Sequence, residues 1–324
     1  MLVLGIESSA HTFGVGIVED GKILANEKEM YKIGNKGIIP AKVAEFHARN
    51  ARRVIGRAIA HAGISLRDIN GIGYTRGPGI GTCLQIGMLS AKTMAYRLDI
   101  PIVPVNHAVA HIEIAKHFSN MKDPLAVYVS GGNSQILKLE NQHYAVLGET
   151  FDIGIGNMLD NFARAAGLNP AWGSTVAKLA VNGKFVEMPY TVKGMDFTFT
   201  GLLTYATKQI GKVPIEDLCY SLQEVAFSML CEAAERALML TKSKEICVCG
   251  GVAQSDRLRQ MLTLMAKEHG ARLGYAPNEY NADNGAMIAY VAGEALSKGY
   301  SVPIDKVDIE QRYRIEKAKV WQWE

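Results

Sequence analysis

Apolar positions in this chain fall into short continuous runs and longer helical stripes, and the order of the two repeats. Leu2 to Glu7 reads as a buried strand. A turn of small residues, Ser8-Ser9-Ala10, leads to a second strand over Thr12–Val18 and a third over Lys22–Lys28. Pro40 opens a long helix whose Val43, His47, Ala51, Val54 and Ala58 share one face, and Gly63 ends that region. Gly71 to Thr75 is a short strand, followed by the glycine-rich stretch Arg76–Thr82 and a helix reaching Leu98. The apolar run Ile100–Val105 carries Pro101 and Pro104, which exclude helix there. A helix then runs from His107 to Phe118.

The pattern next restarts. Leu125–Ser130, the turn Gly131-Gly132-Asn133-Ser134, Gln135–Leu139 and Tyr144–Gly148 repeat the layout of residues 2–28. Glu245–Cys249, Gly250-Gly251 and a helix over Ser255–Lys267 repeat the layout of residues 71–98. This predicts two copies of one α/β plan, arranged as two lobes with a cleft between them. The expected division is a first lobe over residues 1–123, a second over 124–298 with an irregular insertion at 168–204, and a tail over 299–324. Ile155, Met158, Leu159, Phe162 and Ala166 mark an amphipathic helix with Asp160 on another face. Glu216–Lys242 is a long helix with Leu218, Leu222, Val225, Met229 and Ala233 on one side, and a last helix spans Asp283–Ser297. The charged tail holds Trp321 and Trp323 and reads as a docked segment or a junction.

Composition narrows the class. The chain has 324 residues, 48% of them hydrophobic and 21% charged, which suits a globular protein of two lobes. A net charge of +3 permits an RNA partner without demanding one. Five cysteines with no CxxC pair signal neither a disulfide framework nor a zinc ribbon. No secretory leader pattern and no long apolar span are seen, so the expected location is cytoplasmic with no membrane contact.

Candidate chemistry centres on Asn106-His107-Ala108-Val109-Ala110-His111. Histidines four apart share one helix face, where they can bind one divalent metal or serve as ordinary polar surface outside the core. A helix start disfavours an imidazolium, which predicts a neutral, ligand-competent His107. A third ligand has to come from elsewhere in the chain. The Arg76–Thr82 loop lacks the Lys-Ser/Thr of a P-loop and is a candidate phosphate or backbone-contact loop. Arg49, Arg53 and Arg57 form a basic stripe that reads as a solvated face or an RNA contact.

Six motifs in collinear order carry a family resemblance. They are Gly5-Ile6-Glu7-Ser8-Ser9, Gly77-Pro78-Gly79, Asn106–His111, Tyr128-Val129-Ser130-Gly131-Gly132-Asn133, Phe151-Asp152-Ile153-Gly154-Ile155-Gly156-Asn157 and Asn281-Ala282-Asp283-Asn284-Gly285-Ala286-Met287-Ile288-Ala289. With these the chain resembles the archaeal and eukaryotic KEOPS-complex member of the TsaD family, the tRNA threonylcarbamoyladenosine transferases. The resemblance implies an actin-like, Hsp70-like ATPase (ASKHA) fold, with two ribonuclease-H-like lobes around a central nucleotide cleft. It implies one divalent metal, iron or zinc, on His107, His111, Tyr128 and Asp283. It also implies an adenine nucleotide, ATP or threonylcarbamoyl-AMP, on Tyr128, Val129, Ser130, Gly131, Gly132, Asp160, Gly173, Ala177, Gly250, Gly251 and Ser255. The implied reaction moves the threonylcarbamoyl group to the exocyclic amine of the adenosine 3′-adjacent to the anticodon, with Glu7, His107 and His111 as catalytic candidates. Glu7 is open between base, substrate orientation and support of the metal. The chain departs from the family at Ala177, where a glutamate is usual, and at Ser255, where an asparagine is usual. Implied partners are tRNA and KEOPS subunits: a small atypical kinase, separate or fused in cis, a small dimer-forming subunit and regulators.

Three other readings compete. A zinc protease needs HExxH, and Ala108 stands where that glutamate belongs. A phosphotransferase or ATPase of the same fold leaves the histidine pair unused. A non-catalytic binding subunit fits the changes at Ala177 and Ser255.

Overall fold

The computed structural model describes residues 1–32 and 37–321, so Trp323 lies outside the described residues. The chain begins with β1 (Leu2–Glu7), β2 (Thr12–Glu19), β3 (Lys22–Met30), α1 (Pro40–Ala62), β4 (Gly71–Gly77), α2 (Gly81–Leu98), β5 (Ile102–Asn106) and α3 (His107–Ser119). It continues through β6 (Leu125–Val129), β7 (Ser134–Glu140), β8 (His143–Glu149), α4 (Ile155–Ala165), α5 (Gly173–Ala180), β9 (Val192–Lys193), β10 (Asp196–Phe197), α6 (Thr200–Lys208) and α7 (Ile215–Thr241). It finishes with β11 (Glu245–Cys249), α8 (Asp256–Glu268), β12 (Arg272–Gly274), α9 (Asn278–Asn281) and α10 (Gly285–Ser297).

Two five-stranded sheets have matching plans. The first is ordered β3-β2-β1-β4-β5 and the second β8-β7-β6-β11-β12. In each, antiparallel pairing joins the first two strands in sequence, β1 to β2 and β6 to β7. β2 also pairs antiparallel with β3, whereas β1-β4-β5 and β6-β11-β12 are parallel. The repeat legible in the hydrophobic pattern is therefore a repeat of sheet topology.

By packing, the chain forms two compact units. One holds Met1–Ile114, Glu140–Tyr144 and the chain from Pro277 onward; the other holds Ala115–Leu139 and Ala145–Ala276. Apart from the excursion at Glu140–Tyr144, the packing changes unit within α3 and before α9, whereas the sequence pattern divides the chain at 123/124 and 298/299. The cause at the late crossing is α10, which packs on β1, β2 and β4.

The first sheet has two differently built faces. Leu4, Ile6, Val15, Ile17, Ile72 and Tyr74 join Ala51, Val54 and Ala58 of α1 in one buried cluster. Alternate residues on the same strands point the other way, and there Gly5, Gly16 and Gly73 leave room for the backbone of α10. A Cβ on Gly5 or Gly16 would fall on the amide nitrogens of Ala289 or Ala286, and one on Gly73 would sit 2.5 Å from Ala292 Cβ. The basic stripe of α1 faces acidic partners: Arg53 and Arg57 lie 3.1 and 2.6 Å from Glu29, and Arg49 pairs with Glu45.

The second unit is built around α7, whose Leu218, Leu222, Val225, Met229 and Ala233 are all buried. The irregular insertion expected at 168–204 is instead partly regular. It contains α5, the β9–β10 hairpin and the start of α6, and it buries Val176, Ala180, Phe197, Phe199 and Leu202 in the unit's core. Packing of α5 on α7 outweighs the glycine and proline signals there.

Candidate metal centre

Strands β1, β4 and β5 run parallel, so their carboxyl ends lie side by side. Those ends bring together Glu7, Thr75 and Asn106, and α3 starts on the next residue, His107. Asn106 is why a helix can begin so abruptly. Its Oδ1 accepts from the amides of Ala108 (3.0 Å) and Val109 (3.2 Å), two donors the first turn would otherwise leave unpaired.

The third group arrives from the end of the chain. Asn284 caps α10, accepting from the Met287 amide at 3.0 Å and donating to Ala282 O at 2.8 Å. With α10 pressed on the glycine face, Asp283 is held beside α3. Its Oδ1 lies 3.3 Å from His111 Nε2 and 3.6 Å from His107 Nε2. One ligand atom from each of the three residues lies within 4.8 Å of the others. The two rings meet edge to face with centroids 4.7 Å apart. This corrects the expectation of a histidine pair outside the core: His107 is 8% exposed and His111 1%.

Glu7 completes the arrangement and uses its whole carboxylate internally. Oε1 accepts from the Ser9 amide at 2.6 Å, and Oε2 from Thr75 Oγ1 at 2.7 Å and His107 Nδ1 at 2.9 Å. A carboxylate only accepts, so Nδ1 carries the hydrogen and Nε2 is the ring atom turned toward Asp283. Of the roles open to Glu7, this geometry supports orientation of His107.

The charges follow from these contacts. Burial opposes ionisation of Glu7, yet the facing His107 and the Ser9 amide hold its carboxyl below the usual range. Burial likewise opposes a charge on His107, but Glu7 and Asp283 outweigh it and push the imidazole up to about 9. The neutral His107 expected from the helix start is therefore corrected: adjacent carboxylates dominate over the helix terminus. His111 moves down, through burial and the charge of His107. Asp283 is held well below the carboxylate range against its burial, by its hydrogen bond from His111 and by His107. Without a cation the two carboxylates favour the protonated ring of His107; a cation would take the place of the proton on Nε2, and two imidazole nitrogens with a carboxylate oxygen make a donor set suited to iron or zinc.

The remaining expected residues belong to the second unit. Tyr128 is the penultimate residue of β6, its ring is buried, and a Cβ on Gly250 would lie 3.3 Å from that ring. Gly250, at φ +95°, follows β11 as Ser130 follows Val129 at the end of β6, so both glycine turns sit at carboxyl ends of neighbouring parallel strands. The Ser130 amide donates to Asn133 O at 2.8 Å and is used within its own turn; Gly131 and Gly132 are exposed. The Gly154–Asn157 motif packs beneath that turn, with the Asn157 amide donating to Gly131 O at 3.1 Å. Asp160 Oδ1 accepts from the Gly173 amide at 2.7 Å, which joins α4 to the start of α5, and Ala177 lies half-buried on α5. Ser255 caps α8, accepting from the Leu258 amide at 3.3 Å. Ser9, Thr75 and the glycine face are structural partners that motif reading passed over, although the alternation Gly14-Val15-Gly16 and Gly71-Ile72-Gly73 marks that face in the sequence.

Comparison with known proteins agrees with this architecture. The family model for TsaD, tRNA N6-adenosine threonylcarbamoyltransferase, matches residues 21–290. The tRNA N6-adenosine threonylcarbamoyltransferase of Thermococcus kodakarensis is 43% identical over 99% of this chain and 99% of its own length. A probable bifunctional tRNA threonylcarbamoyladenosine biosynthesis protein of Thermoplasma volcanium is 44% identical over 98% of this chain, which spans 61% of that protein. Among solved structures, HypF of T. kodakarensis superposes with a TM-score of 0.64 at 18% identity, covering 92% of this chain and 48% of that longer one. Component A of the Acidaminococcus fermentans (R)-2-hydroxyglutaryl-CoA dehydratase gives 0.58 at 17% identity, covering 92% and 99%. These two likenesses carry the fold, the actin-like ATPase (ASKHA) class expected from the sequence. Near-full-length identity to the curated relatives and the match of the family model place this chain in the TsaD family of tRNA N6-adenosine threonylcarbamoyltransferases.

Proposed function

We propose that this protein transfers the threonylcarbamoyl group from threonylcarbamoyl-AMP to the exocyclic amine of the adenosine 3′-adjacent to the anticodon in tRNAs that read ANN codons. The amine nitrogen bonds to the carbamoyl carbon, the carbon–oxygen bond to AMP breaks, and the amine gives up a proton. His107, His111 and Asp283 hold one divalent iron or zinc ion, and the family resemblance adds Tyr128 to the ligand set. When bound, such an ion supplies Lewis acidity toward a carbonyl or phosphate oxygen. Glu7 keeps His107 in the ligating orientation. The turns at Ser130–Gly132 and Gly250-Gly251, with Asp160, Gly173, Ala177 and Ser255, form the nucleotide-binding residues of the second unit.

The observation that carries this reading is the convergence of three ligand atoms, two from α3 and one from the turn before α10, within 4.8 Å. The protein works in the cytoplasm with tRNA and KEOPS subunits, and the relative named bifunctional shows that a chain of this family can be extended. Among the described residues no helix is long and apolar enough to cross a membrane. The test measures metal content and tRNA modification together, for the parent and His111→Ala, with the partner subunits supplied. Loss of both in the folded variant is expected. Full modification by chelator-stripped protein overturns the metal reading, and phosphorylation of a small molecule without tRNA modification overturns the transferase reading.

A further inference from the structure

The first unit carries an element that the proposed chemistry leaves unused, the segment Val302–Val320. It joins the edge of β5 through the Val302 amide, which donates to Ile102 O at 3.0 Å. It then crosses the carboxyl ends of β4 and β5. Asp308 O accepts from Tyr74 Oη at 2.8 Å, and the Glu310 amide donates to Arg76 O at 2.9 Å. Gln311 O accepts from the Gly79 amide at 3.1 Å. Tyr313 O accepts from Asn106 Nδ2 at 3.0 Å. Val307, Ile315, Ala318 and Val320 are buried along the same path. It is a strap, docked over its described length.

We propose that this strap is a positioning element of the metal centre and acts on His107 by two routes. The inference rests on the reading that His107, His111 and Asp283 hold a divalent cation. One arm runs through Asn106, which is 3% exposed. A single amide side chain fixes the first turn of α3 through Oδ1 and grips the strap through Nδ2, and His107 is the next residue. The other arm runs through β4. The strap pins Tyr74, Arg76 and Gly79, and between them Thr75 holds the Glu7 carboxylate that orients His107 Nδ1. Ligand affinity depends on the partners that aim a ligating histidine, so slack in the strap becomes slack at the metal.

The test uses Co(II), whose visible absorption reports coordination geometry, with affinity measured by chelator competition and folding by urea denaturation of the metal-free protein. Asn106→Ser keeps a capping oxygen for α3 but cannot reach Tyr313 O. A second variant ends the chain after Val307. Each is expected to weaken Co(II) binding about tenfold with an altered spectrum, and the combination to be no worse than the truncation alone. A folded Asn106→Ser protein with the parent's spectrum and an affinity within about twofold of it overturns the inference; this variant decides alone if the truncated chain fails to fold. Co(II) binding that survives His111→Ala, or a parent that binds no Co(II), overturns the metal reading and this inference with it.

Discussion

Glu7 Oε2 and His107 Nδ1 stand 2.9 Å apart, one on the first strand and the other at the start of a helix a hundred residues later. That bond decides which nitrogen of His107 is presented for ligation. Glu7→Gln keeps the shape but removes the charge, so either ring tautomer can be satisfied. Zn(II) affinity of the folded variant is expected to fall about 10- to 100-fold. Competition with a chromophoric chelator measures it, and parent-level affinity would show that Glu7 does not orient the ring.

The glycine face makes a prediction about stability. Gly16→Ala puts a methyl onto the Ala286 amide, where only backbone can yield. A loss of about 3 kcal/mol is expected, at the upper end of overpacking costs. Gly56→Ala, exposed within α1 with nothing within 4 Å of the new Cβ, is expected to gain about 1 kcal/mol. Urea midpoints of the two variants should move in opposite directions.

His47 predicts a pH dependence. It is buried on α1, edge-on to Phe13 at 5.5 Å, and burial lowers its pKa from 6.5 to about 4 against the opposing pull of Glu7. The unfolded chain therefore binds the proton more tightly, and stability must fall as pH drops from about 6.5 toward 4. His47 contributes at most about 3 kcal/mol to that fall. Unfolding of the parent and His47→Leu at pH 7 and pH 4.5 isolates the contribution; equal acid losses in the two proteins would refute it.

Much of the architecture can be read before any coordinates. Alternating strands, the cap and stop signals of α1 and the glycine turns after β6 and β11 are local features, and each stands where the pattern predicts. The repeat of strand order follows because the same local signals recur in the same sequence order. What escaped was long-range. Nothing near His107 announces that α10 crosses back onto the first sheet, so the packing units and the burial of the histidines are not legible there. The charge on His107 was misjudged for the same reason: its helix position is local, whereas Glu7 and Asp283 come from opposite ends of the chain. The helix α5 is a third case, in which burial against α7 overrides punctuation that reads as irregular.

The return of α10 to the first sheet also sets an order of events during synthesis. Strands β1, β2 and β4 emerge from the ribosome early, but the helix that covers their glycine face, and the carboxylate it positions, follow only after Pro277. Until then the nascent first unit exposes a face lined with small residues, and the Asp283 carboxylate is missing from beside the two histidines. Translation therefore runs most of its course before the three side chains can gather, and a chain released before that point carries both histidines without Asp283.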